Sequence, residues 1–440
     1  MALRDSNSSA DIGIVNDALQ KLKLSGSEGK SDLAPALSSL AIQSRTSNDV
    51  RRQLADPEVL QSLIEAVEIG LNDSLELTSW ALRCVGNASI DNDAARDSIA
   101  AFGFGWARSC LAHGDWELHI LTVKVLYNIC SDHEEAQRAC YKAEIEYWLI
   151  ELGASRLDDD VRTLLVELLF WITGQRANDD AASARFSNEV LLSLLALPPK
   201  HSADADVHDL ATTIEICLTY LRMPPIQEQA IKCRYVEMIC NILELSDRNL
   251  ESVPADDVAI FTPLSASLIW ILSDISAHDS FAQHYSLGGE FPEQLIRLLS
   301  VSSTLSDQLP RIGRASLSAA CQVLGNLCRA SPKADVERLV EETQLGRALW
   351  RHVIDQPAGD GDDAMHSISG LLVQLSRPSV EVRELLAQDD NVIPAMRKLC
   401  NHATPHVKQD GIRLLRAFGK DSGDNQQRFE SIAASLATHP

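Results

Sequence analysis

Three residues near the C-terminal end are of the types that bind zinc: Cys400, His402 and His406. Structural zinc sites are built from four thiolate or imidazole ligands. A fourth ligand is not apparent here, and Pro405 breaks the local helical pattern. The acidic segment 355–363 is similar to a calcium loop but lacks the bidentate Glu at the last position. We therefore predict no metal site, and a solvated linker at 355–363.

Motifs for covalent chemistry are absent from the sequence. It contains neither of the glycine-rich phosphate loops GxxxxGK[ST] and GxGxxG, no GxSxG nucleophile motif and no HExxH zinc motif. No pair of carboxylates has a spacing that argues for acid–base catalysis. The sequence thus predicts a protein that is not an enzyme and has no cofactor.

One short phrase occurs three times along the chain. It reads LRCVGNASIDNDAARDSI at 82–99, VLYNICSDHEEAQRAC at 125–140 and QVLGNLCRASPKADVERLV at 322–340. Each copy has an apolar helical stripe that ends in Asn, then a polar break, then small and basic residues. A phrase of this kind marks a repeated supersecondary unit, and arrays of such units bind partners along an extended surface.

The Asn at the end of each stripe is the first candidate for binding: Asn87, Asn128 and Asn326. A side-chain amide both donates and accepts hydrogen bonds, which suits a residue that lines a binding groove. The alternative is a hydrogen bond to local backbone near a helix end, and both roles stay open for Asn87 and Asn128. A fainter copy at 267–283 places Asp274 in the Asn position.

The rest of the sequence predicts helices almost throughout 33–420, with short polar interruptions. Further degenerate copies of the phrase are centred near Trp171, Asn241, Leu371 and Ala417. The spacing of the first two copies fits the roughly 40–47 residues of armadillo and HEAT units. We therefore predict an all-α fold, an armadillo/HEAT-like right-handed α-solenoid, over 33–420.

The two ends of the chain have different patterns. Residues 1–10 are polar and predict a disordered tail. Residues 11–24 predict an amphipathic helix, for which we favour a role as the cap of the solenoid. A leucine-rich nuclear export signal has the same spacing, so shuttling to the nucleus is the alternative. Residues 421–440 are expected to form a C-terminal tail.

The composition combines 45% hydrophobic residues with a formal net charge of −23. Such a surface repels nucleic acid and anionic lipid and attracts basic segments of proteins, although solubility alone is an alternative explanation. The ten cysteines contain no CxxC pair, which favours reduced thiols. There is no secretion signal and no apolar run near the roughly 18 residues of a membrane span. We expect a cytoplasmic monomer that neither binds nucleic acid nor inserts into membranes.

Two classes of armadillo protein provide a test of the groove. Importin-α-like proteins bind basic peptides through successive Trp-x3-Asn pairs. Here Trp80 is seven residues before Asn87, and only Trp270-x3-Asp274 comes near the pattern, with an acid in place of Asn. Binding of nuclear-import cargo is therefore not expected. A β-catenin-like groove would be basic, which the net charge opposes.

The sequence resembles the SmgGDS family, the armadillo-repeat GDP-dissociation stimulators of small GTPases. The segment VNDALQKLKL (15–24) is similar to the short helix that opens that family, and 82–99 is similar to its early repeat. QVLGNLCRASPKAD (322–335) resembles a late-central repeat, and NVIPAMRKLCNHATPHVKQDGIRLLRAFG (391–419) resembles the repeats that follow. The resemblance implies a nucleotide exchange factor and chaperone for Rho- and Rap-type GTPases, especially those with a polybasic, prenylated C-terminus.

The resemblance also implies which residues contact the GTPase. It assigns Asn326, Arg329 and Glu237 to the groove; the alternative for Glu237 is a solvated helix face. At 366–378 the family has another groove Asn, and Leu371–Val373 stand there instead, so this contact is expected to be lost or displaced.

The complete set of candidate groove residues combines the resemblance with the repeat register. It consists of Glu237, Asn241, Asp274, Asn326, Arg329, Asn87 and Asn128. An acidic concave groove that attracts a basic tail is the expected site. The alternative function is a non-catalytic armadillo scaffold that binds a basic peptide or partner protein.

Overall fold

The computed structural model describes Gln20 and residues 33–155, 157–176, 186–198, 207–252, 255–302, 313–356, 362–420 and 423–438. The described residues form 25 helices and no strand, which confirms the all-α prediction. The predicted N-terminal tail (1–10) and, apart from Gln20, the amphipathic helix (11–24) lie outside the described residues. So does the centre of the acidic segment, 357–361.

The chain divides into two compact units, Met1–Ile216 and Cys217–Pro440. The helices of the first unit are α1 (Leu33–Ser44), α2 (Asn48–Leu54), α3 (Pro57–Asp73), α4 (Leu75–Ala88), α5 (Asp93–Phe102), α6 (Gly105–Leu111), α7 (Trp116–Cys130), α8 (Glu134–Lys142), α9 (Ile145–Gly153), α10 (Asp159–Gly174) and α11 (Asn188–Ala196). Helix α12 (Val207–Leu221) contains the boundary between the units.

The second unit contains the remaining helices. They are α13 (Pro224–Lys232), α14 (Val236–Ser252), α15 (Ala255–Ala277), α16 (Phe281–His284), α17 (Glu290–Ser302), α18 (Gly313–Ala330), α19 (Lys333–Glu342), α20 (Leu345–Asp355), α21 (Asp362–Leu375), α22 (Val380–Ala387), α23 (Val392–Cys400), α24 (Pro405–Gly419) and α25 (Gly423–Thr438).

From α2 to α10 and from α13 to α24 the helices follow one another in groups of three, a short first helix, a second helix and a long third helix packed against the second. In the first unit the third helices α4, α7 and α10 stack in order, and α1 packs on α4. In the second unit the third helices α15, α18, α21 and α24 stack in the same way. We call α1, α4, α7 and α10 the first ladder, and α15, α18, α21 and α24 the second ladder.

Each ladder helix buries the same positions relative to one residue, which we call its ladder position. In α4 this residue is Asn87, and in α7, α10, α15, α18, α21 and α24 it is Asn128, Trp171, Asp274, Asn326, Gln374 and Ala417. Side chains that lie three residues before and one residue after it are buried on each helix, for example Cys84 and Ala88 around Asn87. This burial pattern is the helical periodicity that the repeated phrase contains.

The polar break of the phrase turns the chain out of the ladder. Asp91 and Asp132 follow α4 and α7 with φ of 51° and 52°, in the left-handed region. The first helix of the next group then caps the free end of the ladder helix. Arg96 Nε donates to Ser89 O at 3.0 Å, and Gln137 Nε2 donates to Cys130 O at 2.8 Å.

The same cap occurs in the second unit and fixes the register of α21. Arg383 donates to Ser376 O at 3.3 Å. Residue 383 follows Gln374 at the offset by which Arg96 follows Asn87, so Gln374 occupies the ladder position of α21. The sequence pattern centred this copy near Leu371, which is instead buried. The predicted centre of this copy was wrong because the pattern required Asn and did not include Gln, the other amide side chain.

One helix in the described residues is long and apolar enough to span a membrane by length and composition. The segment Ala259–Ala277 of α15 has a mean hydropathy of 1.4 over 19 residues, a longer apolar run than the sequence analysis recognised. Core helices of soluble proteins pass the same test. The helix α15 packs against α14 and α18, and its buried apolar residues serve the core of the second unit.

The last helix differs from the expected C-terminal tail. Residues 423–438 form α25, which packs against α23 and α24. Phe429 and Ile432 are buried, and the Phe429 ring stacks on Phe418 with centroids 5.8 Å apart. Burial of these two apolar side chains explains why the segment folds onto the ladder end.

Candidate functional site

Asn87 joins two helices of the first ladder. Its amide nitrogen donates to Ala41 O at 3.0 Å and to Ser44 Oγ at 2.8 Å, both on α1. Ser44 Oγ donates in turn to Ala41 O at 3.1 Å. Within the described residues the Asn87 amide oxygen has no hydrogen-bond partner, so it remains an acceptor on a half-buried side chain.

Asn326 repeats this arrangement on the second ladder. Its nitrogen donates to Ser273 O at 3.3 Å and to Ser276 Oγ at 2.9 Å, both on α15. Ser276 Oγ donates to Ser273 O at 3.0 Å, as Ser44 does to Ala41. Asn326 therefore holds α18 against α15 through its nitrogen, and its oxygen is left as an acceptor.

Asn128 makes a weaker version of the same contact. Its nitrogen lies 3.5 Å from Gly86 O on α4. At Gly86 a Cβ would lie 3.0 Å from Val125 Cγ2, so the glycine lets α4 and α7 approach closely. The partners of all three asparagines lie on the preceding ladder helix. The sequence left open a groove-lining role and a bond to local backbone; the structure shows instead that the amide nitrogen joins neighbouring repeats.

The first ladder carries positive charge one turn before its asparagines. These positions hold Arg83, which is half-buried, and Lys124, which is exposed. The Arg83 guanidinium lies 5.5 Å from the centroid of the Trp80 ring, within the range of a cation–π contact. The Trp80 indole nitrogen is 3.5 Å from Glu76 Oε1. Positive charge on this face was not part of the acidic concave groove that the sequence predicted.

The aromatic side chains between α7 and α10 are engaged with each other. Tyr127 OH donates to Glu167 Oε2 at 2.6 Å, and the Tyr127 and Trp171 rings have centroids 5.0 Å apart. The hydrogen bond to Glu167, with a smaller contribution from burial, raises the pKa of Tyr127 to about 12. These polar and aromatic side chains of the first ladder therefore already have partners within the chain.

The second ladder presents an uncovered aromatic side chain and an uncompensated acid. Trp270 is 72% exposed, one turn before Asp274 on the same face of α15. Asp274 is also exposed, and the described residues give it no hydrogen bond or ion pair. The structure therefore brings the predicted residues Asp274 and Asn326 together, on adjoining helices of one ladder.

The ladder position of α21 keeps an amide. Gln374 is half-buried, and its oxygen accepts a hydrogen bond from Arg377 Nη1 at 2.8 Å. Leu371, where the sequence predicted a lost or displaced contact, is buried, and Gln374 occupies the ladder position instead.

Arg329 lies at the end of α18, three residues after Asn326, and is exposed. Arg377 and Lys420 follow Gln374 and Ala417 at the same offset. The sequence analysis did not recognise this row of cations. Basic residues at helix C-termini also stabilise the helix dipole, so a local role is available to each of them.

Glu237 and Asn241 are on a different kind of helix. Both lie on α14, the second helix of its group, and Asn241 does not occupy a ladder position. The sequence pattern assigned this helix to the wrong place in the repeat because its apolar residues share the helical period of a third helix. Glu237 is half-buried; burial raises the pKa of its carboxyl group, Arg234 opposes this shift, and Glu290 adds to it.

The candidate zinc ligands do not form a cluster. Cys400 is buried, which raises the pKa of its thiol to about 11, and Lys408 opposes the shift. His402 Nδ1 accepts a hydrogen bond from Thr404 N at 3.2 Å. Across the part of the chain that the structure describes, no three His, Cys, Asp or Glu side chains are arranged to hold a metal ion.

Comparison with known proteins gives the class of fold. No protein-family model matches the sequence, and no curated protein matches it. A chain from a structure on the phosphorylation switch that controls the interaction between cadherin and β-catenin is similar, with a TM-score of 0.55 and 12% identity. The match covers 92% of this chain and 69% of that chain.

A designed armadillo repeat protein in complex with the peptide (KR)4 is also similar, with a TM-score of 0.39 and 15% identity over 61% of this chain and 98% of that chain. At these identities the likeness concerns the fold alone. The structural neighbours are armadillo-repeat proteins, and the chain has an armadillo-type fold of three-helix repeats.

Proposed function

We propose that this chain is a protein-binding scaffold whose partner is a small GTPase of Rho or Rap type with a basic C-terminal tail. Binding is supported by ladder groups that the fold itself does not use: the amide oxygens of Asn87 and Asn326, and the side chains of Trp270 and Asp274. Exposed aromatic and polar groups on a rigid support are typical of protein interfaces. In this proposal one chain binds one GTPase in the cytoplasm.

The choice of a GTPase rests on the sequence. The segments 82–99, 322–335 and 391–419 resemble repeats of GDP-dissociation stimulators, and the net charge of −23 would speed the encounter with a basic tail. Arg329 is exposed beside Asn326 at the end of α18 and is proposed to contact the folded GTPase domain. Shielding of a prenylated tail in the same complex would provide the chaperone activity.

Nucleotide release in this proposal involves no covalent chemistry. The scaffold binds the nucleotide-free conformation of the GTPase more tightly than the GDP-bound conformation, and GDP affinity falls by the ratio of the two affinities. A coupling free energy of about 3 kcal/mol corresponds to roughly 150-fold.

A non-catalytic scaffold that binds a basic peptide is the second candidate. Trp270 and Asp274 favour it, because an aromatic face and a carboxylate suit a single cationic side chain and do not require a folded domain.

Release of a fluorescent GDP from a Rho-type GTPase, in excess unlabelled GDP, tests the proposal. We expect the wild-type chain to accelerate release and Arg329→Ala to reduce the acceleration. Arg297→Ala, an equal charge change on an exposed residue of α17 away from the ladder, is the matched control and should behave as wild type. Retained binding without acceleration would favour the peptide-binding scaffold. Absence of binding to the GTPase would overturn the proposal.

A further inference from the structure

Trp270 lies on the exposed face of α15, where its indole does not contribute to the hydrophobic core. It is the most exposed of the large hydrophobic side chains that the structure describes as exposed. The buried face of the same stretch of α15 is already filled by Leu268, Ile271, Leu272 and Ile275. Within the described residues no ring stacks on Trp270 and no cation covers it. A large aromatic surface without a partner in its own chain is characteristic of an interaction site.

Asp274 lies next to this indole with its charge uncompensated. The two residues are separated by one helical turn, about 6 Å along the axis, so they share one face of α15. Asp274 has no ion pair within 4.0 Å among the described residues, although the chain has exposed arginine and lysine side chains in the same unit. A cation brought by a partner would find both an aromatic face and a carboxylate within the reach of one long side chain.

The support beneath these two residues is rigid. Asn326 donates to Ser273 O and Ser276 Oγ, which flank Asp274 in the chain, and so fixes α18 against that turn of α15. Both hydrogen bonds use the nitrogen of Asn326. Its oxygen has no hydrogen-bond partner among the described residues, and a site whose support is already held by hydrogen bonds loses less entropy on binding.

The first ladder shows the same chemistry completed within the chain. There the Arg83 guanidinium lies over the Trp80 ring at 5.5 Å. That indole is therefore already occupied, and the charge that Arg83 and Lys124 add to the face repels a basic segment. Within the described residues no cation lies over the indole of the second ladder, whose exposed Arg329 is at the end of α18, three residues after Asn326. The contrast predicts that a basic segment binds the second ladder and not the first.

We propose that Trp270 and Asp274 form a binding site for one lysine or arginine side chain of a partner's basic tail. The aliphatic stem lies along the indole, the cationic group contacts the aromatic face, and Asp274 accepts a charge-assisted hydrogen bond. This site specifies the proposed function further. It rests on the proposed function only for the identity of the protein that carries the basic tail. Any polybasic segment has the chemistry that the site requires.

Fluorescence anisotropy of a labelled peptide of consecutive lysines, titrated with the full-length chain, tests the site. Trp270→Ala and Asp274→Asn are each expected to weaken binding about 3- to 30-fold, the range of a cation–π or charged contact. Trp270→Phe should retain part of the affinity, because phenylalanine offers a weaker aromatic face. A labelled peptide of consecutive glutamines should not bind.

Two matched variants control for loss of exposed aromatic surface and of negative charge. Phe102→Ala removes an exposed aromatic side chain from α5, and Asp390→Asn removes an exposed carboxylate between α22 and α23. Both should bind the lysine peptide as wild type does. If Asp390→Asn weakened binding as much as Asp274→Asn, binding would follow the net charge and the site would be wrong.

The outcomes separate this site from the proposed GTPase activity. Trp270-dependent peptide binding without accelerated GDP release would support the site and refute the exchange activity. Accelerated GDP release with peptide binding unaffected by Trp270→Ala and Asp274→Asn would support the exchange activity and refute the site. Sedimentation with anionic vesicles serves as a further arm: if Trp270→Ala lost vesicle binding while peptide binding stayed intact, α15 would be a lipid contact and the site would be overturned.

Discussion

The two ladders are held together by the same bonds and present different surfaces. In each, an asparagine nitrogen joins a carbonyl oxygen and a serine hydroxyl of the preceding ladder helix. On the first ladder Trp80 is covered by Arg83. On the second, Trp270 is 72% exposed and Asp274 has no partner in the described residues. The internal contact is common to both units, whereas the outward-facing chemistry is not.

This difference shows where partner preference is encoded. Positions that face the neighbouring helix are constrained by packing and hydrogen bonding in both units. Positions one turn earlier lie outside the buried stripe and vary between cation, aromatic and amide: Trp270 is exposed, whereas Arg83 and Gln322 are half-buried. The net charge of the whole chain does not predict the charge of either face.

The largest expected effect concerns a glycine of the second ladder whose added Cβ would meet backbone atoms of the neighbouring helix. A Cβ at Gly411 on α24 would lie 2.9 Å from backbone atoms of Leu399 and Cys400, which cannot move without displacing α23. We expect Gly411→Ala to lower the free energy of unfolding by about 3 kcal/mol. Gly86→Ala meets only the Val125 side chain at 3.0 Å and should cost about 1 kcal/mol. Chemical denaturation of both variants measures the difference.

Gly174→Ala is the control for these substitutions, because nothing lies within 4 Å of the added Cβ. It should be neutral or slightly stabilising, since alanine has the lower conformational entropy cost in a helix. Equal losses at Gly411 and Gly86 would show that a Cβ that meets backbone costs no more than one that meets a side chain, and would contradict the prediction.

The asparagine contacts should rank by their geometry. Asn326→Ala removes two hydrogen bonds, to Ser273 O at 3.3 Å and Ser276 Oγ at 2.9 Å, and should cost about 2 kcal/mol. Asn128→Ala removes a single contact of 3.5 Å and should cost about 0.5 kcal/mol. Thermal unfolding of the two variants gives the order. A larger loss for Asn128 would contradict the account of how the repeats are joined.

Acid is expected to destabilise the second unit through His352. This side chain is fully buried, its Nε2 donates to Leu299 O at 2.8 Å, and its Nδ1 has no partner among the residues that the structure describes. Burial lowers the pKa of His352, although the hydrogen bond to Leu299 opposes the shift. The unfolded chain therefore binds a proton that the folded chain excludes, and stability falls as the pH drops below about 6.5, the ordinary histidine value.

Melting temperatures measured on both sides of that pH check the prediction. His352→Gln should flatten the dependence, while the exposed His406→Gln should leave it unchanged. An unchanged slope in His352→Gln would show that another group controls the acid response.

The smallest expected effect comes from uncovering Trp80. Arg83→Ala removes the cation that lies over its ring, so the first ladder should gain weak affinity for the lysine peptide. A second, weaker site in a calorimetric titration is the expected observation. A loss of affinity for the peptide would mean that Arg83 supports binding in some other way.

The repeat was predictable from the sequence, because an apolar stripe that ends in Asn has the period of a helix whatever it packs against. The positions of Asp274 and Asn326 on adjoining ladder helices followed from aligning those stripes. The position of Asn241 in the repeat could not be predicted by this alignment, because a second helix of the repeat has the same apolar period as a third helix. Gln374 was missed because a search for Asn does not recognise a different amide.

Other features of the site depend on contacts that sequence periodicity does not contain. The Asn326 nitrogen bonds residues that lie 50 and 53 positions earlier in the chain. Trp270 stands inside the apolar run SLIWIL, where the composition predicts burial, yet its position in the helical turn leaves it exposed. Exposure and pairing at such positions follow from which face of the helix meets a neighbour.

A double-mutant cycle tests the central claim most directly. Binding of a Rho-type GTPase, with and without its basic tail, is measured against the wild-type chain and Asp274→Asn. The account predicts that Asp274→Asn weakens binding of the intact GTPase severalfold and leaves binding of the tail-less GTPase unchanged. An equal effect on both forms, or no effect on either, would contradict the assignment of the basic tail to the second ladder.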